Sequence, residues 1–161
     1  MDYNIGAARD FIRQYICNRE FNELCMKRGF SVNGLISPKC WEIFASLLVG
    51  EQRNPGDSPD LTGGWEVKSA VMGSSFEYQY CREAGITKLL DDMNCKHLFI
   101  SYESNYQATI VRTINGKELT YYFNLWKPLL KEAYSNPKVQ RFRKSIPYSL
   151  VANKATFVMK C

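Results

Sequence analysis

Gly56-Asp57-Ser58-Pro59-Asp60-Leu61-Thr62-Gly63-Gly64-Trp65-Glu66-Val67-Lys68-Ser69 is the stretch on which the reading of this chain turns. Residues two apart on a strand point to one face. A strand beginning at Trp65 therefore projects Glu66 and Lys68 together and sends Val67 to the other side. Gly63-Gly64 supplies a turn. If Asp60-Leu61-Thr62 pairs back across it with Trp65 to Val71, Asp60 comes beside Glu66. Two carboxylates and one ammonium then converge at an edge or fork of a sheet.

That grouping suits phosphodiester hydrolysis. Two nearby carboxylates repel each other, and a divalent cation relieves the repulsion. Hard oxygen ligands with open water positions fit Mg²⁺, which also binds phosphate oxygens. Such a cation polarises the phosphate and acidifies a bound water. A lysine beside the acids orients or deprotonates that water and offsets charge building on the phosphorane. The backbone carbonyl of Val67 is expected to complete the coordination. The competing reading is a solvated hairpin with a surface ion pair. Against it, Leu61, Trp65, Val67 and Ala70 surround the charges with apolar residues, so Lys68 lies in a run expected to be mostly buried.

Upstream the pattern is helical. Ile5, Ala8, Ile12, Tyr15 and Ile16 share one face, and Phe21, Leu24 and Cys25 mark a continuing or second helix that Gly29 can stop. Ser37-Pro38 is a helix entry, with the serine as cap, ahead of the apolar face Trp41, Phe44, Leu47 and Leu48; Gly50 and Arg53-Asn54-Pro55-Gly56 break it. Downstream, Phe76 to Tyr80 reads as a strand with Phe76, Tyr78 and Tyr80 on one side. Ile86, Leu89, Leu90 and Met93 mark an amphipathic helix. His97 to Tyr102 and Gln107 to Thr113 read as two further strands. Asn115-Gly116 introduces a helix from Leu119 to Leu130, with Pro128 implying a kink or boundary. Ile146 to Val151 and Ala155 to Met159 suggest a closing hairpin. The expected fold is a mixed α/β sheet flanked by helices.

The chain has 161 residues, of which 45% are hydrophobic and 14% aromatic, which suits one domain with its own core and excludes a disordered chain. No apolar run is long enough for a membrane span, and the N-terminus lacks the basic start and apolar run of a signal peptide, so a cytoplasmic protein is expected. Cys17, Cys25, Cys40, Cys81, Cys95 and Cys161 form no C-x-x-C pair and the single histidine is His97, which argues against zinc and for free thiols. The formal net charge is +5, and no acidic residue follows Glu132, whereas Lys138, Arg141, Arg143, Lys144, Lys154 and Lys160 are basic. An acid-free cationic stretch suits a nucleic-acid backbone.

Pro59-Asp60, five residues, then Glu66-Val67-Lys68 resembles the signature of the PD-(D/E)xK nuclease superfamily. The helix before it, the glycine turn inside it and the strand and helix after it follow the same order. The layout is similar to the small homodimeric type II restriction endonucleases over roughly residues 40–161, weakly outside the motif. The resemblance implies a restriction-endonuclease-like central mixed β-sheet with metal ligands at Asp60 and Glu66 and the catalytic lysine at Lys68. It implies Mg²⁺-dependent, sequence-specific hydrolysis of double-stranded DNA. Asp57 remains an alternative first ligand, because the spacing to the glutamate varies in this family. Glu42 or Glu51 is the candidate accessory acid.

In the small restriction enzymes the segment after the active-site strand enters the major groove, which makes Glu77 and Gln79 candidate base readers. Asn136, Gln140, Arg141 and Arg143 form a second candidate reader, and Lys138 and Lys144 are expected on phosphates. One site cuts one strand, so a homodimer facing a palindrome is expected, with the N-terminal helices of residues 1–50 supplying part of the contact. Residues 56–113 are expected to form the catalytic sheet, and 114–161 a helix plus a basic C-terminal hairpin. The rival enzymes are a small cleavage subunit of a heterodimeric restriction enzyme and a junction-resolving or repair nuclease; outside enzymes the rival is a non-catalytic DNA-binding protein.

Overall fold

A computed structural model describes residues 2–56 and 58–161, so Asp57 lies outside the described residues. Three helices come first. Helix α1 (Ile5–Phe11) is capped by Asn4, whose side chain accepts from the Ala7 amide at 3.1 Å, and runs on through a π-helical turn at Ile12–Ile16. Helix α2 (Arg19–Lys27) is capped in the same way by Asn18. Helix α3 (Pro38–Val49) starts with proline in its first turn and stops at Gly50, whose φ of 72° is the left-handed C-terminal conformation. Ser37 precedes α3 but makes no capping bond to a backbone amide; its hydroxyl lies 3.5 Å from Cys40 Sγ instead.

The remaining elements are β1 (Trp65–Val71), β2 (Phe76–Cys81), α4 (Gly85–Asp92), β3 (Lys96–Tyr102), β4 (Thr109–Asn115), α5 (Thr120–Ser135), β5 (Arg141–Ile146), α6 (Tyr148–Lys154) and β6 (Thr156–Lys160). Four strands form a mixed sheet in the order β1-β3-β4-β6, with β1 parallel to β3 and the other pairs antiparallel. Strands β2 and β5 form a separate antiparallel ribbon. The fold is mixed α/β, a four-stranded sheet flanked by helices. Among the described residues no helix is long and apolar enough to cross a membrane.

Two cores lie on the two faces of the sheet. On one face Val67, Leu98, Ile100 and Val111 pack with Ala8, Ile12, Ile16, Trp41, Phe44 and Leu48 from the N-terminal helices. On the other, Phe99 and Ile114 pack with Phe76, Tyr78 and Tyr80 of β2, Leu89 of α4, Phe123, Trp126 and Leu130 of α5, and Phe142, Ile146 and Val151. Strand alternation thus sends Val67 into the first core and turns Glu66 and Lys68 toward the ribbon and α4.

Four expectations need correction. The closing hairpin does not form: Tyr148–Lys154 coils as α6, whose first turn bonds back to the carbonyl of the still-extended Pro147, so the real strands are β5, paired with β2, and β6, added to the main sheet. Of the two readings of Pro128, a kink or a boundary, the boundary is excluded, since α5 runs through it with that residue exposed. The hairpin before β1 is a single bridge, Leu61 to Trp65. Finally, Ala8, Ile12 and Ile16 are buried in the chain's own core, so that face is not free for a second subunit. All six cysteines are free thiols.

Candidate active site

Strand β1 is the edge of its sheet, with β3 on one side only. On the free side, the Leu61 amide donates to the Trp65 carbonyl at 3.0 Å and the Trp65 amide donates back at 3.4 Å. Thr62, Gly63 and Gly64 close this bridge, with Gly63 at φ 68°, and a Cβ on Gly63 would run into the Glu51 side chain. Glu51 is there because its carboxylate accepts from the Thr62 hydroxyl at 2.5 Å.

At the next ladder position the chain has already turned away. The Asp60 carboxylate takes the place of a backbone carbonyl, accepting from the Val67 amide at 2.8 Å. In an extended strand the N–H and C=O of one residue point to the same edge. The Val67 carbonyl therefore leaves the sheet on the side where Asp60 stands.

Glu66 and Lys68 occupy the other face. Glu66 is wholly buried; its Oε1 accepts from both Lys68 Nζ and Lys88 Nζ, the latter at 2.9 Å, while Oε2 has no partner among the described residues. Lys88, on α4, also lies 3.7 Å from Asp92 Oδ1 and 3.4 Å from Ser58 Oγ. Asp92 in turn accepts from the Tyr80 hydroxyl at 2.9 Å. The Lys68 ammonium sits 5.0 Å from the centre of the Tyr78 ring, a cation–π contact. That ring is fixed from behind. His97 Nε2 faces the Asp92 carbonyl at 2.7 Å and must donate to it, so Nδ1 accepts from the Tyr78 hydroxyl at 2.8 Å.

Burial and these partners set the charges. Burial and the Glu66 charge push the Asp60 carboxyl above the usual carboxylate range, against the pull of Lys68 and the Val67 amide. Burial works to raise Glu66 as well, but Lys68 and Lys88 outweigh it and hold the carboxyl down at about 2. Desolvation works against the Lys68 charge, and Glu66 and Asp60 more than offset it, so its pKa lies above the ordinary value. Burial and Glu66 lift Asp92 to about 7, against Lys88 and Lys68. Burial lowers His97 to about 4. Lys68 is therefore a fixed cation in this arrangement, suited to stabilising charge rather than to accepting a proton.

A cavity of about 220 Å³ opens on this edge, with Asp60, Val67, Lys68, Glu42 and Glu77 in its wall. A neighbouring recess of about 140 Å³ shares Asp60 and Glu42 and adds Arg53 and Lys39. The structure thus brings Asp60, Val67 and Lys68 to one cleft and sets Glu66 behind them. Of the two candidate accessory acids, Glu42 is in that cleft, bonded to Lys39 at 2.6 Å, whereas Glu51 is committed to the turn. Among the described residues no three His, Cys, Asp or Glu side chains converge on one point. The donors at hand are two carboxylates, one with an unpartnered oxygen, and a strand-edge carbonyl. That set is too small to encage a cation but matches the one or two carboxylates, waters and substrate phosphates that hold Mg²⁺.

The ribbon joins the two candidate readers. Glu77 pairs with Ser145, Gln79 with Arg143 and Cys81 with Arg141. Opposed residues share a face, so Glu77, Gln79, Arg141 and Arg143 lie together on the side away from Phe76, Tyr78, Tyr80, Phe142 and Ile146. Arg143 Nε stands 3.8 Å from Glu77 Oε1. Lys144 falls on the opposite face, half-buried, with its ammonium 5.5 Å from the Phe142 ring centre. Asn136 and Gln140 spend their side chains on their own loop, accepting from the Lys138 amide at 3.0 Å and donating to the Pro137 carbonyl at 3.1 Å respectively. Arg82 clamps that loop through the Tyr134, Asn136 and Val139 carbonyls, leaving Lys138 exposed at its tip.

Sequence reasoning missed Lys88, Asp92, Tyr78, Tyr80 and His97 as parts of the site. One signal was available: Lys88 and Asp92 are spaced i, i+4 beside Leu89, on a helix following the motif strand. Compared with known proteins, the chain matches no family model and no curated protein.

Proposed function

We propose that this chain is a Mg²⁺-dependent endonuclease of the PD-(D/E)xK kind, cutting double-stranded DNA at a specific sequence as a type II restriction endonuclease does. One observation carries the reading. At the free edge of β1 the Asp60 carboxylate, the Val67 carbonyl and the Lys68 ammonium share one cleft, with the unpartnered Oε2 of Glu66 behind them. A four-stranded mixed sheet covered by helices on both faces is compatible with a restriction-endonuclease-like fold.

Asp60, Glu66 and the Val67 carbonyl are the residues to hold Mg²⁺, which supplies Lewis acidity toward the scissile phosphate and an acidified water. Lys68, a fixed cation, offsets negative charge developing on the phosphate from the cleft wall. Tyr78, locked by His97, keeps that ammonium in place. Glu42 stands beside Asp60 as the accessory acid.

The major groove admits a two-stranded ribbon. Gln79 suits adenine, Arg141 and Arg143 suit guanine, and Glu77 suits the cytosine amine. Lys138 is placed for phosphate. A double-strand cut calls for two copies. With the α1 face used internally, the exposed Phe21 and Leu24, i and i+3 on α2, offer the N-terminal contact instead.

The test is incubation of the purified protein with phage DNA, with and without Mg²⁺, followed by sequencing of the ends. Discrete Mg²⁺-dependent fragments with one shared end sequence are expected, and Lys68→Ala should lose them. Intact DNA under every condition, with binding retained, would move the chain to the non-catalytic class.

A further inference from the structure

Lys88 stands outside the sequence motif, yet its ammonium is the second cation on Glu66. Lys68 and Lys88 share Oε1, Lys88 at 2.9 Å, while Oε2 has no donor among the described residues. Asp92, equally buried, is the counterpart on the other side of Lys88. Its Oδ2 takes the Tyr80 hydroxyl at 2.9 Å, but Oδ1 has no hydrogen-bond donor among the described residues and waits 3.7 Å from Lys88 Nζ. An approach of under about one ångström turns that gap into a charge-assisted hydrogen bond. Lys88 and Asp92 are both on α4, spaced i, i+4, so the change needs only a side-chain rotation.

A divalent cation on Glu66 meets two ammonium groups already sharing that carboxylate. Like charges a few ångströms apart in a poorly solvated site repel strongly. Lys68 borders the open cleft and can turn into it. Lys88 needs another acid. We propose that Lys88 and Asp92 form a charge-exchange pair that positions Glu66: Lys88 holds the Glu66 carboxylate while the centre lacks a cation and passes to Asp92 when a divalent cation takes Glu66. Lys88 is a positioning residue, acting through Glu66. This inference rests on the proposed role of Glu66 as a cation ligand.

The pair is tested by Mn²⁺ binding to the full chain without DNA, read from the free-ion signal in electron paramagnetic resonance. The proteins are wild type, Glu66→Gln, Asp92→Asn, Lys88→Met and the double variant Lys88→Met/Asp92→Asn. Asp92→Asn keeps an acceptor for Tyr80 but leaves Lys88 no charged refuge, so Mn²⁺ affinity should fall about tenfold or more. Lys88→Met should bind Mn²⁺ at least as well as wild type. The double variant should recover most of the loss, because the stranded cation is gone. A packing role predicts the opposite, a double variant no better than Asp92→Asn.

Wild-type affinity in Asp92→Asn, or no recovery in the double variant, overturns the exchange while leaving the cation centre standing. So does a Lys88→Met protein that binds about tenfold more weakly than wild type, a result that needs no Asp92 variant to fold. Unchanged Mn²⁺ binding by Glu66→Gln overturns the cation centre itself, and the pair with it.

Discussion

Replacing Glu66 by Gln removes one negative charge from a side chain with no exposure, against which two ammonium groups are packed. The cost follows from the Glu66 carboxyl itself. Its fall from an ordinary 4.5 to about 2 in the folded chain corresponds to roughly 3 kcal/mol of stability. Removing one partner of a buried pair costs about 3–5 kcal/mol in general. Lys68 and Lys88 keep 14% and 19% of their side-chain exposure and can recover some water, which favours the lower end. For a domain of this size that lowers the melting temperature by about 6–12 °C.

The sign with pH is fixed too. A carboxyl depressed on folding contributes fully above its unfolded pKa, and the contribution drains away as pH falls through its folded one. The gap between wild type and Glu66→Gln should therefore be full at neutral pH and shrink from 4.5 toward about 2. Urea unfolding followed by tryptophan fluorescence at pH ~7 and ~3.5 compares the full effect with a point part-way through its loss. Equal stability of the two proteins at neutral pH would refute the reasoning, because the lysines would then not depend on the Glu66 charge.

Lys68→Ala should cut DNA at least about a hundredfold more slowly while binding it normally in Ca²⁺, and near-wild-type cutting would remove Lys68 from the chemistry. Asp60→Asn keeps an acceptor for the Val67 amide, so it should fold yet lose cleavage and Mg²⁺ binding by calorimetry; an active Asp60→Asn with a dead Asp57→Asn would shift the first ligand to Asp57. Gln79→Ala and Arg143→Ala should penalise the cognate duplex by roughly 1–3 kcal/mol more than a scrambled one. Lys138→Ala should weaken both alike and flatten the salt slope by about one, as fluorescence anisotropy can show. Leu24→Glu should turn a dimer into a monomer by light scattering, whereas a wild-type monomer even on DNA would favour a nicking or subunit role.

The sequence by itself determined the local structure around the site. Period-two alternation placed Glu66 and Lys68 on one face and Val67 on the other, and it marked the buried side of β2, because strand geometry depends only on near neighbours. Glycine and proline likewise set the ends of α2 and α3.

Tertiary structure decided what those faces meet. Asp60 reaches Val67 through its side chain rather than through strand pairing, since a one-bridge turn leaves no second backbone partner. Strand β2 pairs with β5 some sixty residues later, and what joins them is the packing of Phe76, Tyr78, Tyr80, Phe142 and Ile146 beneath α5. That pairing put Gln79 beside Arg143 and turned Lys144 inward. Lys88 and Asp92 joined Glu66 for the same reason: α4 docks over the face into which Glu66 points, and no local pattern records which carboxylate a helix will cover.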